Sequence, residues 1–295
     1  MNRTAIAILA ALGTSLAASA QAEEVNESQA AAPDGHVEIS NIAGSVDIIG
    51  WSRDSVEVTG ELGKNVEELI FEREGDRVTV KVKVPKKNNR SISTDLVIRV
   101  PEKSSIDVGT VSADIDVEDV LGEQRLHTVS GDVEAVVAGS DCSFESVSGD
   151  IEVEGDRQDS DIRAGSVSGD VTLFRIAGEV RAETVTGDLI IDEGSFDRVN
   201  LETVNGEILF QSVLRKGGRM NAEAVNGDID VEFTDDISAE FDLSSFNGSI
   251  DNCFGPEAKR TSKYAPGWGL RFTEGDGDGR VSMSTLNGDM SLCKK

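Results

Sequence analysis

Carboxylates recur in this sequence at a spacing that could gather cations. Asp114, Asp132, Asp150, Asp170, Asp188, Glu207, Asp228 and Asp289 all stand one residue after the fourth position of a repeated phrase, most often Ser/Thr-Val-Ser/Thr/Asn-Gly. Stacked about 5 Å apart, neighbouring carboxylates repel by roughly 1 kcal/mol in water. Splayed side chains, hydrogen bonds from turn N–H groups, or interposed cations would relieve this. Turn capping is the expected role. Calcium at Asp132, Asp150, Asp170 and Asp188 is the alternative, opposed by the small number of oxygens one row supplies. The loop Glu274-Gly-Asp276-Gly-Asp278-Gly adds oxygens but lacks the spacing of an EF-hand. No other cofactor is expected.

The remaining reactive residues point away from catalysis. The two histidines, His36 and His127, are far apart, and no cysteine–histidine pair or metal-ligand spacing is present. Arg125, Arg163 and Arg181 recur near Glu145, Glu183 and Glu202, as cross-strand surface pairs do. A stretch at Cys253–Gly279 gathers Lys259, Arg260, Lys263, Tyr264, Trp268 and Phe272, a set that could hold a sugar or an acidic partner. An end-cap shielding the last repeat is the structural reading of the same aromatics.

The elements that position these residues follow from the repeat. Gly131, Gly149, Gly169, Gly187, Gly206, Gly227 and Gly248 follow one another at 18 to 21 residues, and Gly288 comes 40 residues later. A fixed period of this length is the mark of a solenoid. Counted from each glycine, apolar residues fill positions −7, −5, −2, +2 and +4, with polar residues between them. The coil around Gly149 shows this with Cys142, Phe144, Val147, Ile151 and Val153. The alternation predicts strands with one buried face. The −2 column is read with the inward set, which requires a bend between −5 and −2. It contains Val129, Val147, Val167, Val185, Val204, Val225, Phe246 and Leu286. Glycine at the second bend is attributed to its tolerance of positive φ. Ala113 and Gly44 extend the register upstream, giving ten coils and a rod of about 45–50 Å. Phe174, Ile190 and Leu209 fall on outward columns and form a candidate interface patch.

Five segments are expected. Residues 1–22 read as a secretory signal with Arg3, an apolar run Ala5–Leu16 and an Ala20-Gln21-Ala22 cleavage site. Residues 23–35 read as a flexible polar linker. Residues 36–105 hold the first coil and a β-layer, with strands at Val56–Val58, Leu69–Glu72, Val78–Val84 and Leu96–Val100. Residues 106–252 hold the solenoid repeats, and 253–295 a capping insertion and the last coil. Cys142 falls on an inward column. Cys253 and Cys293 each lie five residues past their glycine, so stacking brings them into disulfide range. The apolar run is too short for a membrane span, and the Lys294-Lys295 end carries no apolar tail. The net charge of −27 argues against nucleic acid and anionic membranes as partners.

The repeats, the strand-proline entry Leu96-Val-Ile-Arg-Val-Pro101 and the ending Phe254-Gly-Pro … Gly267-Trp-Gly-Leu … Ser284-Thr-Leu-Asn-Gly-Asp-Met resemble the bacterial exported β-solenoid family known as "putative adhesin". The resemblance spans Val37–Leu292 and implies the fold and an exported location; it transfers no catalytic residue. The expectation is an all-β protein: a single β-solenoid of roughly 18–21-residue coils with an N-terminal β-layer and a C-terminal cap. Its function is read as non-enzymatic and adhesin-like or scaffolding, in the periplasm or secreted, with an envelope polymer or protein as partner. A calcium-dependent polysaccharide-active enzyme and a self-assembling structural solenoid are the alternatives.

Overall fold

The computed structural model describes residues 23–86, 91–262 and 266–295. The predicted signal segment therefore lies outside the described residues. The described chain is all-β, and its strands join in one continuous sheet. No helix is long and apolar enough to cross a membrane among these residues.

Over residues 105–233 the strands pair in parallel with their counterparts one repeat away. Cys142–Ser146 lies on Ile162–Ser166, and Ile151–Glu154 on Val171–Phe174. Equivalent columns therefore superpose, and the inward side chains form one core that includes Phe144, Ile151, Val153, Ile162, Leu173 and Leu201. Cys142 is buried in it as a free thiol. Gln124, the polar residue of the −7 column, is buried and donates to the carbonyls of Val120 and Val136. Between adjacent coils near the C-terminal end, Phe196, Phe210, Phe233 and Phe241 form an internal ladder with ring centroids 5.9–6.3 Å apart.

The order of coils in space differs from their order in the chain at both ends. His36–Trp51 lies between Ser105–Glu118 on one side and two later strands on the other. Those strands are Arg77–Lys83, on His36–Ser40, and Thr94–Pro101, on Gly44–Trp51. At the other end Gly279–Asn287 pairs with Arg219–Asn226 on one side and Ala239–Asn247 on the other. The last coil of the chain thus sits inside the stack, and the coil around Gly248 is outermost.

Antiparallel strands cover both ends. Ser55–Leu62 pairs with Thr94–Pro101, Glu68–Glu74 with Arg77–Lys83, and Trp268–Glu274 with Ala239–Asn247. The turn between Glu74 and Arg77 uses Gly75 at φ 63°. Glu23–Ala30, expected as part of a flexible linker, is a strand antiparallel to Ser55–Leu62, held by the buried Val25 and Ala31. Its polar residues are compatible with pairing because an edge strand leaves many of its side chains in water.

Glycine in the repeat is required by crowding more than by dihedral angle. A Cβ on Gly149 would lie 1.9 Å from the carbonyl oxygen of Gly131, and one on Gly206 1.8 Å from that of Gly187. At these positions successive corners approach so closely that no larger residue fits without displacing backbone; the coil of Ala113 is the one that accommodates a methyl. Of the eight glycines, only Gly187 has a positive φ, at 155°.

Candidate functional site

The exposed corner of each coil carries the most regular surface on the molecule. The residues at −3, Thr128, Ser146, Ser166, Thr184, Thr203, Ser245 and Thr285, are buried. Their hydroxyls are satisfied across the stack: Ser166 Oγ donates to Gly149 O at 3.0 Å, Thr184 Oγ1 to Gly169 O at 3.0 Å, and Thr285 Oγ1 to Gly227 O at 3.0 Å. Alternation therefore runs unbroken through −7, −5 and −3, and the bend begins only after −2.

This reverses one reading of the sequence. The −2 side chains share outward parity with −4 and −6. Val111, Val129, Val147, Val167, Val185, Val204, Val225, Leu286 and Phe246, in that spatial order, are each 38–47 % exposed. Nine apolar side chains thus form a rail about 38 Å long at a coil spacing of about 4.8 Å. Scattered surface valines need no explanation, but a contiguous row of them does.

Polar ladders border the rail. Next to it Asn226 Nδ2 donates to Asn205 Oδ1 (3.0 Å), Asn287 Nδ2 to Asn226 Oδ1 (2.7 Å) and Asn247 Nδ2 to Asn287 Oδ1 (2.8 Å). The carboxylate row follows. The N–H of Asp150 donates to Asp132 Oδ1 at 2.9 Å, that of Asp170 to Asp150 Oδ1 at 2.8 Å, and that of Asp188 to Asp170 Oδ1 at 2.8 Å. One oxygen of each carboxylate thus caps the next coil's turn. Among the described residues no group of three or more His, Cys, Asp or Glu side chains is placed to hold a metal ion.

On its other side the rail overlooks a groove of about 840 Å³, running from His127 to Ser284. The buried hydroxyl column forms its floor, and Glu145, Glu183, Glu202 and Glu223 line the far wall with Arg163 and Arg181. Arg181 is ion-paired to Glu183 and Glu202, Arg163 to Asp161 and Arg125 to Glu123. Only Arg181 meets glutamates of the expected set, Glu202 across strands and Glu183 within its own; Arg125 and Arg163 instead pair with acidic residues two positions earlier in the chain.

The other candidate residues are dispersed. Phe272 stacks on Phe241 at 4.6 Å and touches Phe254, so it belongs to the end of the internal ladder. Trp268 is half-buried against the core, with the Arg260 guanidinium 5.2 Å from its ring. Lys259 and Arg260 are exposed, while Lys263 and Tyr264 lie outside the described residues. Ile190 and Leu209 are neighbours in register and half-buried. Phe174 lies opposite Asp192, beneath the Arg175 guanidinium at 5.0 Å. The Cys253–Cys293 disulfide is present, with Cα atoms 4.9 Å apart. His36 Nδ1 is within 3.1 Å of Ser105 Oγ, and the ring of His127 packs over Gly109.

The clue the sequence held for the rail was the Ser/Thr at −3. A hydroxyl column flanked by glycine can be buried when a carbonyl faces it, and that choice turns the valines outward.

Solved structures are similar to the chain at low identity. A "putative lipid binding protein" from Parabacteroides distasonis is 14 % identical, with 91 % of this chain and 96 % of that chain covered and a TM-score of 0.50. A "putative adhesin" from the same organism is 11 % identical over 92 % and 98 % of the two chains, with a TM-score of 0.45. Another from Bacteroides fragilis is 10 % identical over 92 % and 97 %, also at 0.45. No curated protein matches the sequence. The family model described as Toastrack DUF4097 matches residues 35–293, which takes in every coil and all of the antiparallel strands except Glu23–Ala30, and the chain therefore belongs to the Toastrack DUF4097 family.

Proposed function

We propose that this chain is a non-enzymatic, adhesin-like binding protein of the bacterial cell envelope, exported to the periplasm or secreted, which holds its partner along the apolar rail and adjoining groove. The observation that carries this reading is the rail: nine coils place an apolar side chain in water at the same corner. A merely structural repeat gains nothing from that repetition, because a polar residue at −2 would satisfy the same backbone. The disulfide fits an oxidising compartment. The rail is a better candidate than the C-terminal cap, because Phe272 is committed to the internal aromatic stack and Trp268 is half-buried.

The test is binding of the labelled chain to envelope polymers and whole cells, with and without millimolar calcium, while the supernatant is assayed for cleaved product. The expected result is binding without product, lost in the Val147→Ser/Val185→Ser/Val225→Ser variant and retained in Trp268→Ala. Product release would overturn the non-enzymatic reading. Binding lost only in Trp268→Ala would move the site to the cap.

A further inference from the structure

We infer that the partner taken by the rail is a cationic amphipathic α-helix of another polypeptide. This rests on the binding role proposed above and specifies its partner. The rail is one residue wide, with polar rows on both sides, so its occupant must present a narrow apolar line flanked by groups that satisfy those rows. The chemistry of the flanks selects the charge. None of Asp132, Asp150, Asp170 and Asp188 is ion-paired among the described residues, and each carboxylate spends only Oδ1 on its neighbour's N–H. Across the groove, Arg181 is shared between Glu183 and Glu202, and Glu145, opposite His127 in register, is in no ion pair among the described residues. The rail therefore lies between two rows of net negative charge, which favours Lys or Arg on either side of an apolar stripe.

Geometry selects the helix. Coils recur every 4.8 Å or so, and a helix brings an apolar residue to one face about every 5.4 Å, once per turn. An extended strand presents same-face residues about 6.6–6.8 Å apart, a poorer match to the valine spacing. About 25 residues of helix would span the rail. Leu286 and Phe246, the larger side chains, stand together at one end of the row and provide its anchor. A second copy is disfavoured, since it would bring another net charge of −27 against this one.

The experiment uses the full chain and a fluorescent peptide of leucine and lysine, about 25 residues long, patterned at the helical period. Anisotropy measures affinity, and circular dichroism measures helix gained on mixing. The expected result is binding with helix formation, weakened by salt, absent for a scrambled peptide and for a glutamate-for-lysine analogue. The Val147→Ser/Val185→Ser/Val225→Ser variant should weaken binding about tenfold or more. Asp150→Asn/Asp170→Asn, which keeps the turn acceptor, should weaken it several-fold. Equal binding of the scrambled peptide, or insensitivity to both variants, would overturn the inference. If the triple variant does not fold, the peptide panel and the asparagine variant on their own decide the matter. Rail-dependent binding to phosphatidylcholine vesicles in place of the peptide would assign the rail to acyl chains, and rail-dependent dimers in sedimentation would assign it to a second copy; either overturns the helix. Loss of cell binding in the triple variant without peptide binding would refute this partner and leave the binding role standing. Peptide binding by a chain that binds no envelope material would do the reverse.

Discussion

The corner of each coil is set by contacts between residues of different repeats. A glycine there is held against the previous glycine's carbonyl, and a buried hydroxyl three residues before it donates to that same carbonyl. Gly206→Ala places a methyl 1.8 Å from Gly187 O, so backbone must move in a closely stacked column. The expected cost is about 3 kcal/mol or more. Gly217→Ala provides the comparison: its φ is 77° and nothing lies within 4 Å of the added Cβ, so only the dihedral penalty of about 1–2 kcal/mol applies. Denaturant unfolding of the two variants checks the contrast. Equal losses would mean that crowding does not set the corner.

At the scale of elements, the two ends of the stack follow one rule. The coil nearest each end of the repeat region in sequence is placed second in space and pairs on both sides, and antiparallel strands take the exposed edge. Burying both edges of these coils removes unpaired N–H and C=O groups from the rims. The Cys253–Cys293 bond joins the outermost coil to the inserted one. Cys253→Ser/Cys293→Ser is expected to cost about 2–4 kcal/mol, and limited proteolysis should cut first between residues 253 and 279. An unchanged melting temperature and cleavage pattern would show that strand pairing alone fixes this end. The pairing was legible in the sequence because both cysteines hold the same position relative to their glycines. That relation survives the reversal of coil order, since adjacency is unaffected by which coil lies outside.

Charge acts on the whole molecule. Burial, then the nearby Asp95, pushes Asp47 above the ordinary carboxylate range. Burial, then Glu118, Glu134 and Asp47, does the same to Asp116. Burial, then the hydrogen-bonded Asp230, raises Glu207, with Asp188 and Asp228 adding to it. A group raised in the folded state contributes stability that is fully present below its unfolded pKa and lost as pH rises through its folded value. Asp159 runs the other way: its hydrogen bond from Arg215 lowers it, so its contribution is present above its unfolded value and lost as pH falls through the folded one. The melting temperature is therefore expected to rise as pH is lowered from neutral to about 5, then fall as ordinary and lowered carboxylates are protonated. Asp116→Asn should flatten the rising part. Added salt at neutral pH should raise the melting temperature, because it screens a net charge of −27. A melting temperature that falls steadily from neutral pH downward would contradict this account.

The sequence by itself determined the all-β class, the period, the inward columns at −7, −5, +2 and +4, and the cysteine pair. Each of these depends on residue type at a fixed offset, and offset is conserved through any stacking order. Two features were decided only in the tertiary structure. The outward turn of the −2 valines depends on a carbonyl from another coil accepting the buried Ser or Thr hydroxyl; apolar periodicity treats a valine before a bend alike on either face. The interleaving of coils at both ends depends on which neighbour each strand meets. Coils of one register offer nearly identical edges, so the hydrogen-bond ladder does not distinguish the orders, and lengthening a connection adds little entropy cost. The antiparallel strands and packed aromatics at the rims select one order, and with it the spatial sequence of the rail that the partner meets.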